Sequence, residues 1–193
     1  MNPEETALLR ALFEGTAFDD EVVDFAGALG TAPHDAGGLL LVGTPEDEPW
    51  HFAAHLTDEA TWSGRDELTP TLVRWQVPAG APAHLAVPLD RLRAARDRET
   101  LLVVAPDAAP ERLLDDLSRA RKAGAHVLAI DAGGSKDLRG LAHETLTVPT
   151  QSYLDVVQHV VSATAPTAHR RRGVRERLGR LLDELQGAPR PPR

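Results

Sequence analysis

The sequence predicts a three-layer α/β/α sandwich whose central sheet has about five mostly parallel strands. Residues 101–105 form a continuous apolar run, and residues 126–130, which begin with His126, form a second apolar strand, as expected for parallel strands that are covered by helices on both faces. Between them lies an apolar stripe at helical spacing, formed by Leu113, Leu114, Leu117 and Ala120. Two buried strands joined by a helix form a right-handed βαβ unit, so this stretch predicts the fold class.

The flanking sequence extends the same alternation of helices and strands. Pro110 is expected at the start of the central helix and Gly124 just after its end. The pattern predicts further strands at 39–43, 69–77 and 145–148, and helices at 3–30, 50–60, 88–98, 152–164 and 170–186. The chain is therefore divided into an N-terminal helical segment (1–36), an α/β domain (37–165) and a basic linker, helix and Pro-rich tail (166–193).

Composition and charge narrow the classes of function. The chain contains no cysteine, which excludes disulfides, thiolate catalysis and cysteine-based zinc sites. No signal peptide or membrane-spanning run is recognisable, so a cytoplasmic protein without a membrane partner is expected. Residues 169–193 carry a net charge of +5, which leaves −13 on residues 1–168 of a formal total of −8. An acidic body does not attract nucleic acid, so no nucleic-acid partner is expected.

The domain resembles a SIS (sugar isomerase) domain in the order and spacing of its elements. The resemblance is carried by Ala-Arg-Lys-Ala-Gly-Ala-His-Val-Leu-Ala-Ile at 120–130, a short helix with Leu138 and Leu141, and Thr-Leu-Thr-Val-Pro at 145–149. It implies a flavodoxin-like sandwich that binds a sugar phosphate or a nucleotide sugar. It also implies a homodimer and no cofactor.

The two loops that hold phosphate in that family are altered in this chain. Gly43 and Thr44 follow the first strand, but residues 46–48 are Glu-Asp-Glu, and three carboxylates suit helix capping and repel phosphate. The loop at 106–110 is Pro-Asp-Ala-Ala-Pro and has no hydroxyl group. The resemblance therefore indicates a degenerate member, in which Gly43, Thr44 and Asp107 are the candidate ligand-binding residues of these loops.

A Gly-rich turn at 131–137 follows the fourth predicted strand. Ser135 and Lys136 could bind an anion there, because ligands of open α/β folds lie at the carboxyl edge of the sheet. The alternative is a simple connection that caps the short helix after it.

Four further residues have side chains suited to metal binding or acid–base catalysis. His51 and His55 are spaced i, i+4, which permits a metal site, or they are two ordinary histidines on a helix face. Asp155 and His159 lie on the last core helix, where isomerases of the family carry their acid and base. The alternative for His159 is a structural role in the core or at a dimer interface.

The predicted tail helix at 170–186 combines many Arg residues with an apolar stripe of Val174, Leu178, Leu181 and Leu185. Such a stripe packs against the body, a second copy or another protein. Three functions remain open from the sequence. The first is a SIS-like domain that binds a carbohydrate derivative without catalysis, in a regulatory or scaffolding role. The others are a sugar-phosphate isomerase with a rearranged site and an adaptor that acts through the basic helix.

Overall fold

The computed structural model describes residues 17–32, 35–150 and 153–167. The helices are α1 (Ala17–Thr31), α2 (Trp50–Ser63), α3 (Glu111–Lys122), α4 (Lys136–Leu141) and α5 (154–167). The strands are β1 (Leu39–Val42), β2 (Thr71–Val73), β3 (Thr100–Ala105), β4 (His126–Asp131) and β5 (Glu144–Thr147). Short 3-10 helices lie at Asp66–Leu68, Ala83–Leu85 and Leu89–Ala94.

The five strands form one parallel sheet in the order β2-β1-β3-β4-β5. Leu41 of β1 lies opposite Leu102 of β3, and Val103 of β3 lies opposite Ala129 of β4. Strands β2 and β5 are the two edges of the sheet. This is the strand order of flavodoxin-like folds, and the predicted fold class is confirmed.

Two apolar layers cover the sheet, one on each face, and the strands supply alternate residues to them. Leu39 and Leu41 point toward α1, α2 and α5, whereas Leu40 and Val42 point toward α3, α4 and the 3-10 helix at Leu89–Ala94. All four residues of β1 are completely buried. Continuous apolar strands are needed because both faces of the sheet are covered.

The central βαβ unit follows the sequence closely. Pro110 is the N-cap of α3, one residue outside the predicted first position. Gly124 follows the helix with a φ of 99°, a left-handed conformation that glycine adopts without strain. Helix α2 extends three residues beyond the predicted end, to Ser63, and the last core helix is shifted to 154–167.

Two predicted elements are wrong in type or length. The strand predicted at 69–77 contains only the three residues of β2, because the next residues leave the sheet: Arg74 N–H donates to Val87 O at 2.8 Å. The helix predicted at 88–98 is the 3-10 helix Leu89–Ala94, whose leucines still face the core. The predicted helix at 170–186 and residues 3–16 of the first helix lie outside the described residues.

Candidate ligand-binding site at the carboxyl edge of the sheet

The strand order creates a crevice between the carboxyl ends of β1 and β3. The connection after β1 passes over one face of the sheet through α2, and the connection after β3 passes over the other through α3. Ligands of open α/β folds bind at such a switch point. Gly43, Thr44 and Asp107 follow these two strands, as the sequence predicted.

The loop after β1 is closed on itself at this edge. Thr44 N–H donates to Asp47 O at 3.1 Å, and Asp47 N–H donates to Thr44 O at 3.3 Å. The Trp75 indole Nε1–H donates to Gly43 O at 2.8 Å. A Cβ at Gly43 would lie 2.0 Å from Asp47 O, so the chain passes itself at a distance that only glycine allows. The amide N–H of Thr44 is thus engaged within the loop, and its residue is only 4% exposed.

Three carboxylates lie near one another at this edge of the sheet and make it negative. Burial raises the pKa of Asp47, and the charges of Asp155 and Asp107 raise it further. Asp107 and Asp155 are exposed, one after β3 and the other on the first turn of α5. A phosphate group placed among these carboxylates would be repelled.

Glu48 forms a network that the sequence analysis missed. Its Oε2 accepts hydrogen bonds from Arg74 Nε at 3.1 Å, Arg74 Nη2 at 2.9 Å and Trp50 Nε1 at 3.1 Å. Its Oε1 accepts from Trp75 N–H at 3.3 Å. The Arg74 guanidinium also lies 4.3 Å from the centre of the Trp50 ring, within the range of a cation–π contact.

The predicted capping role of residues 46–48 is therefore wrong. The N-cap of α2 is Pro49, and no side chain caps the helix. Glu48 turns toward Arg74 instead, because hydrogen bonds between a carboxylate and a guanidinium are charge-assisted on both sides and stronger than those to a backbone N–H.

The rings of His55 and His159 are in contact. The sequence analysis treated His55 as a candidate metal ligand and His159 as a candidate catalytic residue, and it did not predict this contact. Their ring centroids are 3.9 Å apart at an interplanar angle of 62°, joining α2 to α5. Burial lowers the pKa of both, and the nearby His51 lowers it further. Asp58 near His55 and Asp155 near His159 act in the opposite direction without reversing the shift. Within 17–32, 35–150 and 153–167, no group of three or more His, Cys, Asp or Glu side chains could hold a metal ion.

The histidine pair should make stability fall in mild acid. Both pKa values are lower in the folded chain than the ordinary value of 6.5, so the unfolded chain binds more protons once the pH drops below about 6.5. The free energy of unfolding, measured by urea titration between pH 7.5 and 5, should decline over that range. A His55→Gln/His159→Gln variant should lose much of this decline. His84 is exposed, so a His84→Gln variant should keep the decline. If the free energy of unfolding falls equally with pH in both variants, the decline does not come from the pair of His55 and His159.

Ser135 caps α4, as the capping alternative for the turn at 131–137 expects, and anion binding by Ser135 and Lys136 stays a prediction. Its Oγ accepts a hydrogen bond from Leu138 N–H at 3.4 Å, and the residue is 5% exposed. Lys136 is exposed. The backbone of Gly134 lies so close to Asp107 that a Cβ there would be 3.2 Å from Asp107 C. The turn and the loop after β3 therefore lie side by side.

The fold and the crevice define a doubly wound α/β protein, and comparisons with known proteins agree at that level. No protein-family model matches the sequence, and no curated protein matches it. Among solved structures, a protein described as sugar-binding from Salmonella typhimurium LT2 is similar at 14% identity with a TM-score of 0.50. That similarity covers 89% of this chain and 48% of the other, so this chain spans about half of its length.

Two further solved structures are similar as well. The NanR protein of Vibrio vulnificus, in complex with ManNAc-6P, gives 9% identity and a TM-score of 0.50, over 94% of this chain and 69% of the other. The sugar isomerase domain of an RpiR transcription factor from Sphaerobacter thermophilus is 14% identical in sequence, with a TM-score of 0.48, and the match covers 86% of each chain. At these identities the likenesses to the Salmonella and Vibrio structures concern the fold alone. In the described part of the chain, no helix has the length and apolar character that crossing a membrane requires.

Proposed function

We propose that this chain is a SIS-like domain that binds a carbohydrate derivative, such as a phosphosugar, in a regulatory or scaffolding role without catalysis. The observation that supports the proposal is the switch point between the paired strands β1 and β3, where Asp107 and Asp155 are close enough to raise the pKa of Asp47. The fold is shared with a protein described as sugar-binding and with one that is complexed with ManNAc-6P. A homodimer, with the α/β domain at 37–165 as its body, belongs to the same proposal.

The absence of catalysis is proposed from the state of the two candidate residues. General acid–base work on a sugar needs two positioned groups of suitable pKa. His159 is packed against His55, with its pKa lowered by burial, and Asp155 lies close enough to Asp47 for its charge to raise the pKa of Asp47. The loop at 106–110 contributes no hydroxyl group to a substrate.

A panel of sugar phosphates, nucleotide sugars and unmodified sugars should contain a compound that raises the melting temperature of the wild-type chain. A ligand at about 100 times its Kd adds roughly 2.7 kcal/mol, equivalent to about 5–10 °C for a chain of this size. Asp107→Ala should reduce the shift, since an exposed carboxylate in the crevice can accept hydrogen bonds from sugar hydroxyls. Asp137→Ala, which removes an exposed carboxylate from the neighbouring turn, is the matched control.

Two results would change the proposal. If no compound shifts the melting temperature, or if Asp107→Ala and Asp137→Ala respond alike, sugar binding at the crevice fails. Aldose–ketose isomerisation that disappears in Asp155→Ala or His159→Ala would make the chain a sugar-phosphate isomerase. The third possibility is an adaptor that acts through the basic helix predicted at 170–186. These residues lie outside the described ones, so this role stays a prediction.

A further inference from the structure

The carboxylate of Glu48 is held in the way proteins hold an external anion. It receives two hydrogen bonds from one guanidinium, one from a backbone N–H and one from an indole N–H, all between 2.9 and 3.3 Å. A guanidinium combined with fixed N–H donors is a donor set that suits carboxylate and phosphate groups. Four donors converge on a single side chain that belongs to a surface loop.

The donors belong to the scaffold, whereas the acceptor belongs to the loop. Arg74 directly follows β2 and its N–H donates to Val87 O, the Trp75 indole donates to Gly43 O, and Trp50 begins α2. Contacts other than those with Glu48 therefore help to fix the positions of the donors. The side chains of Arg74 and Glu48 are 13% and 14% exposed, and Trp50 is 36% exposed. The donor set therefore lies just beneath the surface, with an aromatic ring at its border.

The same donor set adjoins the crevice. The Trp75 indole binds Gly43 O, the first residue of the loop that lines the switch point. Around the crevice itself, Asp47, Asp107 and Asp155 repel anions, so an anionic ligand group would be accommodated better beside Arg74. The neutral part of such a ligand could still extend toward Thr44 and Asp107.

We infer that Arg74, the backbone N–H of Trp75 and the indole N–H of Trp50 form an anion-binding site that Glu48 fills from within the chain. Its external ligand is the phosphate ester or the carboxylate of a small molecule, which binds by displacing the Glu48 carboxylate. This inference rests on the proposed function, because it assigns the place of the anionic group of that ligand. It also means that the wild-type chain binds anions weakly, because the Glu48 carboxylate competes with them for the same hydrogen-bond donors.

Chemical rescue of Glu48→Ala tests the inference. The variant should melt about 5 °C below the wild type, because the donors lose their acceptor. Sodium phosphate or sodium acetate should restore about half of that loss, relative to sodium chloride at equal ionic strength. Phosphate should bind the variant at least about tenfold more tightly than the wild type. Rescue by phosphate alone indicates a phosphate ester as ligand, and rescue by acetate alone indicates a carboxylate.

Two further variants serve as controls. Glu46→Ala removes an exposed carboxylate from the same loop and should show neither the loss nor the rescue. Glu48→Ala/Arg74→Ala should keep the loss and respond to no anion. Equal responses of all variants to phosphate and acetate, or an unchanged melting temperature in Glu48→Ala, would overturn the inference.

Glu48→Gln preserves the shape of the side chain and provides a second route if Glu48→Ala does not fold. Titration with inorganic phosphate should shift the Trp50 indole N–H resonance in this variant more than in the wild type. Equal shifts would overturn the inference. Rescue without a response to the sugar panel would refute only the proposed function, whereas a response to the panel without rescue would refute only the placement of the anion beside Arg74.

Discussion

Replacing Gly43 by alanine should destabilise the chain by about 3 kcal/mol, because the new methyl group has no space. Its Cβ would lie 2.0 Å from Asp47 O and 2.6 Å from Pro49 Cδ. Both neighbours belong to the loop that is closed by the paired hydrogen bonds between Thr44 and Asp47. Relief of the clash therefore requires breaking these bonds or moving the start of α2.

Urea denaturation of Gly43→Ala measures this loss directly. Gly140→Ala is the matched control, because Gly140 lies within α4 and a Cβ there would meet nothing within 4 Å. That change should stabilise the chain by about 0.5–1 kcal/mol, since alanine favours the helix. If both variants unfold at the same urea concentration, the close approach at Gly43 does not constrain the loop.

Replacing Phe52 by alanine should cost about 3–5 kcal/mol and lower the melting temperature by about 10 °C. Phe52 is completely buried on α2, in the apolar layer that also contains residues of α1, α5 and the sheet. Its removal leaves a cavity that the surrounding helices can fill only partly.

Trp62 provides the comparison on the same helix. It is 76% exposed, and Trp62→Ala should change the free energy of unfolding by no more than about 0.5 kcal/mol. Differential scanning calorimetry of the two variants separates burial from the general effect of losing an aromatic ring. A similar loss in both would contradict the assigned layers.

The central strands could be predicted from the sequence because nearly all of their residues serve only to fill the core. Residues 101–105 and 127–130 are apolar throughout, and both runs lie within strands covered on both faces. The sequence at 69–77 has two roles, since Leu72 and Val73 enter the core whereas Arg74 and Trp75 bind Glu48 and Gly43. Hydrophobic pattern alone does not separate these roles, and the strand was predicted too long.

The position of the crevice could be predicted, but its network of contacts could not. Strand order places Thr44 and Asp107 at one edge whatever their side chains are. Glu48 and Arg74 are 26 positions apart and meet only after β1 and β2 have paired. The i, i+4 spacing suggested His51 as the partner of His55, but the ring in contact with His55 is that of His159 on α5.

The two edges of the sheet constrain how copies of this chain can associate. Strand β2 has three residues and is followed directly by the bound Arg74, while β5 exposes Glu144 and Thr147. Short edge strands and exposed charges discourage another strand from adding to a sheet. A second copy would therefore meet this one through helical surfaces. Partner choice would then depend on side chains, which a point mutation can alter, and not on backbone pairing, which accepts almost any extended chain.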